Sequence, residues 1–309
     1  LSAVIWGIKL TAFFIVLVSV FFIDPNYQLS LMNKKLWLMN NHLVVSCDWL
    51  KKNLADPQIV IADCRFSLGK GNLGRHKYQH GHIQGSYYLD LNHDLSSPVR
   101  QHGGRHPLPK PELFSQKLSA IGIERQKTLV VAYDDSFQPF ASRLWWLLKY
   151  MGHEQVRVLD GGFNAWLTAG YDLTDTIPNL CEGNFIPNIQ PQMVAERESV
   201  EQCKDLPGVV LVDSRTVERY KGIQEPIDKV AGHIPGAVNF PWQQAIDCQG
   251  YFFSSLEQRQ RWLEIEKIKD IIVYCGSGVT ACVNLLSLEL AGIQNAKLYT
   301  GGWSDWISY

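Results

Sequence analysis

The amino-acid sequence predicts an α/β fold made of two tandem copies of one domain, each with a mostly parallel sheet flanked by helices. Its 309 residues, 46% of them hydrophobic and 19% charged, are enough for about two domains with buried cores. Short β-branched strand patterns alternate with helical patterns, which is typical of parallel sheets. Four motifs also recur in the same order, 140 to 151 residues apart, which indicates a duplicated domain.

The first segment, residues 1–38, differs in kind from the rest of the chain. Residues 5–23 are almost entirely apolar and close to the length that spans a bilayer. No small-residue cleavage site follows them, so one prediction is a membrane anchor that stays attached. Lysines on its C-terminal side would then keep the folded body in the cytoplasm. The alternative is that the segment is not part of the working protein, because Met32 and Met39 lie just before the first domain-like stretch.

The two predicted domains cover residues 45–170 and 195–309. The paired motifs are IVIADCR at 59–65 with VVLVDSR at 209–215, GHIQGS at 81–86 with GHIPGA at 232–237, TLVVAYD at 128–134 with DIIVYC at 270–275, and LDGGFNAW at 159–166 with LYTGGWSDW at 298–306. Residues 171–194 carry three prolines and little apolar periodicity, which predicts a linker between the copies.

The second copy places a cysteine where reactive groups commonly lie in parallel sheets. A strand predicted over 271–274 ends directly before Cys275, and a helix predicted over 279–292 follows. The loop between them consists of Gly276, Ser277, Gly278, Val279 and Thr280. Its glycines allow successive backbone N–H groups to converge on an anion, and the helix N-terminus adds the positive end of its dipole. Such surroundings favour a thiolate and would also solvate a terminal persulfide sulfur.

With these motifs the chain resembles the tandem rhodanese family over about residues 43–307, and its loop CGSGVTA at 275–281 is similar to that of 3-mercaptopyruvate sulfurtransferases. The resemblance implies that Cys275 takes sulfur from a small anionic donor, 3-mercaptopyruvate or thiosulfate, and forms a persulfide. The persulfide would pass its outer sulfur to cyanide, a small thiol or thioredoxin. No metal or organic cofactor is implied. Because Asp134 stands in the first copy where Cys275 stands in the second, only the second domain is expected to be catalytic.

The resemblance also suggests how an anionic donor is bound. Arg219 matches a family arginine that contacts the donor, and arginine suits a carboxylate or a sulfonate-like group. A second family arginine, just after a Glu-Pro pair, is replaced here by Ile227. Lys221 or Lys229 are candidates to compensate, and the preference between 3-mercaptopyruvate and thiosulfate stays open.

The repeated motifs contain further histidines and charged residues that are candidates for the site. His82, in GHIQGS, matches a histidine proposed to act with the loop serine across the domain interface, whereas its twin His233 indicates a shared structural role. The remaining charged motif residues are expected to form internal ion pairs at strand ends, and Cys282 is expected to be a core thiol. Those motif residues are Asp63, Arg65, Asp213 and Arg215.

Composition and spacing argue against other classes of function. The formal net charge is -1 with no long basic run, so no nucleic-acid partner is expected, and membrane contact is expected only through residues 5–23. The seven cysteines form no CxxC pair, and no zinc-ligand spacing surrounds residues 275–282. A phosphatase using this loop needs Cys, five residues and then Arg, but this chain has Ala281 there. A thiosulfate-preferring rhodanese and a persulfide-binding or sensing module without turnover remain as alternatives.

Overall fold

The computed structural model describes residues 43–309, and the predicted anchor at residues 5–23 lies outside them. The first half of the described chain forms a five-stranded sheet in the order β1-β5-β4-β2-β3, with every neighbouring pair parallel. Its strands are β1 (Val44–Val45), β2 (Ile59–Asp63), β3 (Ser86–Tyr88), β4 (Leu129–Tyr133) and β5 (Val156–Leu159). Its helices are α1 (Cys47–Lys52), α2 (Leu73–His80), α3 (Pro111–Ala120), α4 (Pro139–Tyr150) and α5 (Gly162–Thr168).

The second half repeats this architecture with a parallel sheet in the order β6-β10-β9-β7-β8. Its strands are β6 (Val194–Ala195), β7 (Val209–Asp213), β8 (Val238–Asn239), β9 (Asp270–Tyr274) and β10 (Ala296–Tyr299). Its helices are α6 (Arg197–Cys203), α7 (Val217–Tyr220), α8 (Ser255–Arg261), α9 (Ala281–Leu290) and α10 (Gly302–Trp306), and 3-10 turns span Pro191–Met193 and Trp242–Ala245. The predicted α/β fold with a duplicated domain is therefore confirmed.

The central strand pair has the same register in both copies. In the first sheet Asp63 of β2 lies opposite Tyr133 of β4, and in the second Asp213 of β7 lies opposite Tyr274 of β9. These strands are apolar and mostly buried, as expected for parallel strands covered by helices on both faces. Their equal register brings Asp134 and Cys275, the next residues along β4 and β9, to equivalent positions at the carboxyl ends of the sheets.

The Asp-x-Arg motifs fix the ends of β2 and β7. The guanidinium of Arg65 donates to Asp63 at 2.6 Å and to the carbonyl of Gly81 at 2.7 Å. In the second copy Arg215 makes the same pair of bonds, to Asp213 and to the carbonyl of Gly232. All four charged side chains are buried and paired, which confirms the prediction of internal ion pairs.

The two domains share one apolar core across their interface. Helices α4 and α9 pack against each other, and nearly all of their side chains are buried. Helix α9 is apolar around most of its circumference, which is typical of a helix buried on all sides. At the edge of this contact the Lys149 ammonium lies 2.5 Å from a carboxylate oxygen of Glu289. The interface between the domains is therefore a packed apolar contact with an ion pair at its edge.

The segment predicted as a linker lies along the first domain. Thr174 forms an isolated bridge with His82, and Cys181 forms one with Ile121. The Phe185 ring is buried, and its backbone N–H donates to Ser119 Oγ at 2.9 Å. Within residues 43–309, no helix combines the length and the apolarity needed to cross a membrane.

Candidate active site

The candidate site is centred on Cys275, which follows β9 and is only 2% exposed. The loop after it is anchored from α10, because the carbonyls of Cys275 and Gly276 accept hydrogen bonds from the N–H groups of Trp303 and Ser304, at 2.8 and 2.9 Å. Gly278 has φ +72°, and a Cβ there would lie 2.3 Å from the carbonyl oxygen of Thr300. A side chain at position 278 would both clash with this carbonyl and strain the left-handed backbone, so only glycine fits there. The turn after Cys275 therefore depends on Gly278.

The equivalent loop of the first domain holds an anion. One carboxylate oxygen of Asp134 accepts from the N–H groups of Ser136 and Gln138, and the other accepts from those of Phe140 and Ala141, at 2.8 to 3.0 Å. Phe137, at the position of Gly278, adopts the same left-handed conformation with φ +65°. This backbone turn thus gathers N–H groups around a negative charge, as a nest does. Burial raises the pKa of Asp134 to about 6, while those N–H groups act in the opposite direction.

The first domain contributes a histidine to the Cys275 loop. His106 Nδ1 lies 2.8 Å from Ser277 Oγ, and both side chains are buried. Arg143 of α4 fixes this arrangement by donating to the carbonyls of Gly278, at 3.0 Å, and His106, at 3.2 Å. Burial, followed by the charges of Arg143 and Arg105, lowers the pKa of His106 to about 3. The imidazole is therefore neutral at physiological pH, and its Nδ1 can form a hydrogen bond with the serine hydroxyl.

Two guanidinium groups converge on the same loop from opposite domains. A Cβ at position 276 would lie 2.7 Å from Arg105 Nη2 and 3.4 Å from Arg219 Nη2. Arg219 belongs to α7 of the second domain and bonds Glu225 at 2.8 Å and Asp228 at 2.9 Å. Arg105 comes from the long connection between β3 and α3, and it also pairs with Asp228. The site thus has two cations beside the cysteine loop, at the position where an anionic group of a ligand would bind.

The connection that carries Arg105 and His106 is docked onto the second domain. The N–H of Gly103 donates to Asp305 at 2.6 Å, and the N–H of Arg105 donates to Ser304 Oγ at 3.2 Å. A second histidine–serine contact joins His102 Nδ1 to Ser308 Oγ at 2.9 Å. These bonds hold the connection against α10, the same helix that anchors the Cys275 loop.

These groups surround a cavity of about 440 Å³ between the domains. Its lining residues are Phe66, Ser67, Leu68, Leu91, Arg105, His106, Ser136, Pro139, Phe140, Arg219, Ile227, Trp242, Cys275, Gly276, Ser277, Val279 and Thr280. The lining thus combines apolar side chains with the thiol, hydroxyl groups and guanidinium groups. A cavity of this size accommodates a small ligand that has one anionic end.

The structure brings most of the predicted site residues together. Cys275, the loop residues other than Gly278, and Arg219 line the cavity, and Gly278 shapes the turn. His82 does not join them: its two ring nitrogens face the carbonyls of Tyr78 and Thr176, and its ring stacks on Tyr78. His233 has the equivalent arrangement with Tyr220. Of the two roles considered for His82, the contact with the loop serine is wrong, because His106 makes that contact, and the structural role shared with His233 agrees with these bonds.

Arg105 and His106, which lie in the segment GGRHPLP at 103–109, were not among the site residues predicted from the sequence. A signal was present, because this segment has an adjacent Arg-His pair but no echo in the second copy. Because the second copy has no such segment, the side chains of this one can contact only one of the two equivalent loops, the loop of Asp134 or that of Cys275. The candidates Lys221 and Lys229 are not among the residues that line the cavity, whereas Arg105 is.

No group of three or more His, Cys, Asp or Glu side chains is arranged to hold a metal ion in the part of the chain that the structure describes. Cys282 is fully buried in α9 and lies 3.3 Å from the carbonyl of Gly278, and burial raises the pKa of its thiol to about 12. It is a core thiol, as the sequence predicted.

Comparisons with known proteins show the family of this chain. A model of the rhodanese-like domain matches residues 46–169 and 196–309. The chain is 40% identical over 275 residues to a probable 3-mercaptopyruvate sulfurtransferase from Pseudomonas aeruginosa, covering 87% of this chain and 96% of that protein. It is 36% identical over 256 residues to a putative thiosulfate sulfurtransferase, SseB, from Mycobacterium tuberculosis, covering 82% and 89%. The crystal structure of SseA from Escherichia coli, a 3-mercaptopyruvate sulfotransferase, is similar with a TM-score of 0.73 at 31% identity, over 84% of this chain and 98% of that one.

Proposed function

This chain belongs to the rhodanese family of sulfurtransferases, and we propose that it transfers sulfur from 3-mercaptopyruvate through a persulfide on Cys275. One observation carries this proposal. The Cys275 thiol lines a cavity together with the Ser277–His106 pair and two guanidinium groups, Arg105 and Arg219. A 2-oxo acid that bears a thiol has three matching groups: sulfur, carbonyl oxygen and carboxylate.

In the first half-reaction, the Cys275 thiolate attacks the donor sulfur. A new S–S bond forms while the C–S bond of the donor breaks, and its electron pair moves onto the leaving carbon as the enolate of pyruvate. The proton carried by the donor sulfur then neutralises the enolate, which leaves pyruvate and an ionised persulfide. The loop of Asp134 surrounds a carboxylate with four N–H groups, and three of the matching groups in the second domain are those of Ser277, Val279 and Ala281. The fourth, that of Cys282, donates to the carbonyl of Val279 at 3.0 Å, so we expect the first three to stabilise the persulfide anion.

The Ser277 hydroxyl is placed to stabilise the enolate. Negative charge develops on the carbonyl oxygen of the donor as the C–S bond breaks, and a positioned O–H donor lowers the energy of that state. Neutral His106, at 2.8 Å, orients the hydroxyl by hydrogen bonding to its oxygen. Thiosulfate has no carbonyl group, so this contact favours 3-mercaptopyruvate over thiosulfate.

Arg105 and Arg219 provide the carboxylate site. Both guanidinium groups lie beside Gly276, and guanidinium N–H groups are the donors that a carboxylate prefers. Ile227 lines the same cavity, so the cation absent from position 227 is supplied by Arg105 of the other domain. In the second half-reaction, cyanide, a small thiol or thioredoxin attacks the outer sulfur and regenerates the Cys275 thiolate.

A comparison of the two donors tests the proposal. We would measure kcat/KM with 3-mercaptopyruvate and with thiosulfate, with cyanide or thioredoxin as acceptor, for the wild type and for Cys275→Ser. The expected result is higher kcat/KM with 3-mercaptopyruvate, no turnover by the variant, and one added sulfur atom on Cys275 by mass spectrometry. A preference for thiosulfate would overturn the donor assignment. Absence of Cys275-dependent transfer from either donor would leave a persulfide-binding or sensing module.

A further inference from the structure

The Asp228 carboxylate joins the two cationic groups of the site. One of its oxygens pairs with Arg105 from the first domain, and the other lies 2.9 Å from Nη2 of Arg219 in the second. Its side chain is only 3% exposed, although the preceding Ile227 is 45% exposed. Within the exposed stretch that follows α7, Asp228 therefore turns inward toward the cysteine loop.

Asp228 lies where the proposed carboxylate of the donor would bind. A Cβ at position 276 would be 3.5 Å from Asp228 Oδ2 and 3.4 Å from Arg219 Nη2. A donor anion that enters this space meets the Asp228 carboxylate at short range, inside a mostly buried site. Two carboxylates at such a separation repel each other strongly, so the donor can bind only when the Asp228 carboxylate moves away.

The charge balance of the site supports the same conclusion. Arg219 is paired with both Glu225 and Asp228, and Arg105 is paired with Asp228, so both guanidinium groups are already neutralised. Glu225 is held in addition by Arg215 at 3.2 Å and by the N–H groups of Ile227 and Asp228. Glu225 is therefore a fixed part of the turn, whereas the contacts of the Asp228 carboxylate are to the two donor-binding arginines. Asp228 is the carboxylate that can be exchanged for another.

We infer that Asp228 is an internal competitor of the sulfur donor, a specificity-determining carboxylate that holds Arg105 and Arg219 in place and is displaced when a donor carboxylate binds them. This inference rests on the proposed function. Displacement of one carboxylate by another keeps the charge of the site unchanged, whereas a dianion such as thiosulfate adds a negative charge. Asp228 therefore lowers affinity for every anionic donor, and for thiosulfate more than for 3-mercaptopyruvate.

The test compares Asp228→Asn and Asp228→Ala with the wild type and with Glu289→Gln. The control also removes one carboxylate from an ion pair between the domains, the pair with Lys149, but lies away from the cavity. We would measure KM for both donors, and the Kd of pyruvate by calorimetry with each substitution placed in a Cys275→Ser background.

We expect both Asp228 variants to lower the KM for 3-mercaptopyruvate and the Kd of pyruvate by about tenfold, with a larger fall for thiosulfate and no change for Glu289→Gln. A raised or unchanged Kd of pyruvate would overturn the inference, because an Asp228 that only positions the arginines weakens binding when it is removed. Pyruvate binding is read without turnover. An enzyme that binds pyruvate more tightly without Asp228 but transfers no sulfur would therefore contradict the proposed function alone.

Discussion

His106 Nδ1 and Ser277 Oγ lie 2.8 Å apart although 171 residues separate them in sequence. Each belongs to a different domain, so the contact exists only while the domains are packed together. The arrangement gives the first domain a part in the site, because it supplies the imidazole and one guanidinium group to the loop of its twin. Catalysis is therefore expected to depend on the interface as well as on Cys275.

The Ser277–His106 pair is expected to matter for only one donor. Ser277→Ala should lower kcat/KM for 3-mercaptopyruvate by about 100-fold, because the developing enolate loses its hydrogen-bond donor. With thiosulfate the loss should stay within about threefold, since no carbonyl oxygen is present. His106→Gln should resemble Ser277→Ala, and the double variant should cost little more than either single one.

The matched control for this prediction is His102→Gln. It removes the other histidine–serine contact across the same interface, with Ser308, and because that contact only helps to hold the connection, any loss should be small and equal for the two donors. Equal losses with the two donors in Ser277→Ala would mean that the hydroxyl stabilises the loop rather than the enolate.

Acid stability should reflect the buried neutral state of His106. In the unfolded chain this histidine titrates near its ordinary pKa of 6.5, whereas burial in the folded protein lowers its pKa to about 3. Between these two values the unfolded chain binds more protons, so the contribution to stability falls as the pH falls from 6.5 toward 3. We expect His106→Gln to lose less Tm than the wild type between pH 7 and pH 4.5, as measured by thermal unfolding. An equal fall in Tm for the wild type and the variant would show that protonation of His106 does not contribute to the loss of stability in acid.

The fold and the cysteine loop were predictable because their signals are local. Buried parallel strands appear as apolar β-branched runs, and the Gly278 turn is visible in the loop sequence itself. The duplicated motifs then fixed the domain order. His106 and Arg105 were not found, because pairing across a domain interface leaves no periodic pattern in a single sequence. His82 was a candidate for the serine contact only through the family resemblance. Its twin motif in the second copy indicated a structural role, and its ring nitrogens do face the carbonyls of Tyr78 and Thr176.

Arg105 should supply the positive charge that is absent at position 227, where this chain has isoleucine in place of the family arginine. Arg105→Met is expected to raise the KM for 3-mercaptopyruvate by about 10- to 100-fold, because charge-assisted hydrogen bonds to the carboxylate are lost. Adding Ile227→Arg to that variant should recover part of the affinity, since residue 227 lines the same cavity. Steady-state kinetics measure both effects. Lys149→Met, which breaks the ion pair with Glu289 outside the site, is the control and should leave KM unchanged. An unchanged KM in Arg105→Met would remove Arg105 from the carboxylate site.

The first domain offers a test of the anion-binding loop that does not depend on catalysis. Asp134→Ala leaves four buried N–H groups without their acceptor, so we expect the free energy of unfolding to fall by about 3 kcal/mol. Asp135→Ala, which removes a more exposed carboxylate paired with Lys77, should cost less than about 1 kcal/mol. Denaturant unfolding measures both. If Asp134→Ala lowers the free energy of unfolding no more than Asp135→Ala does, the turn does not bind the Asp134 carboxylate strongly. The same turn around Cys275 could then not be credited with stabilising a persulfide anion.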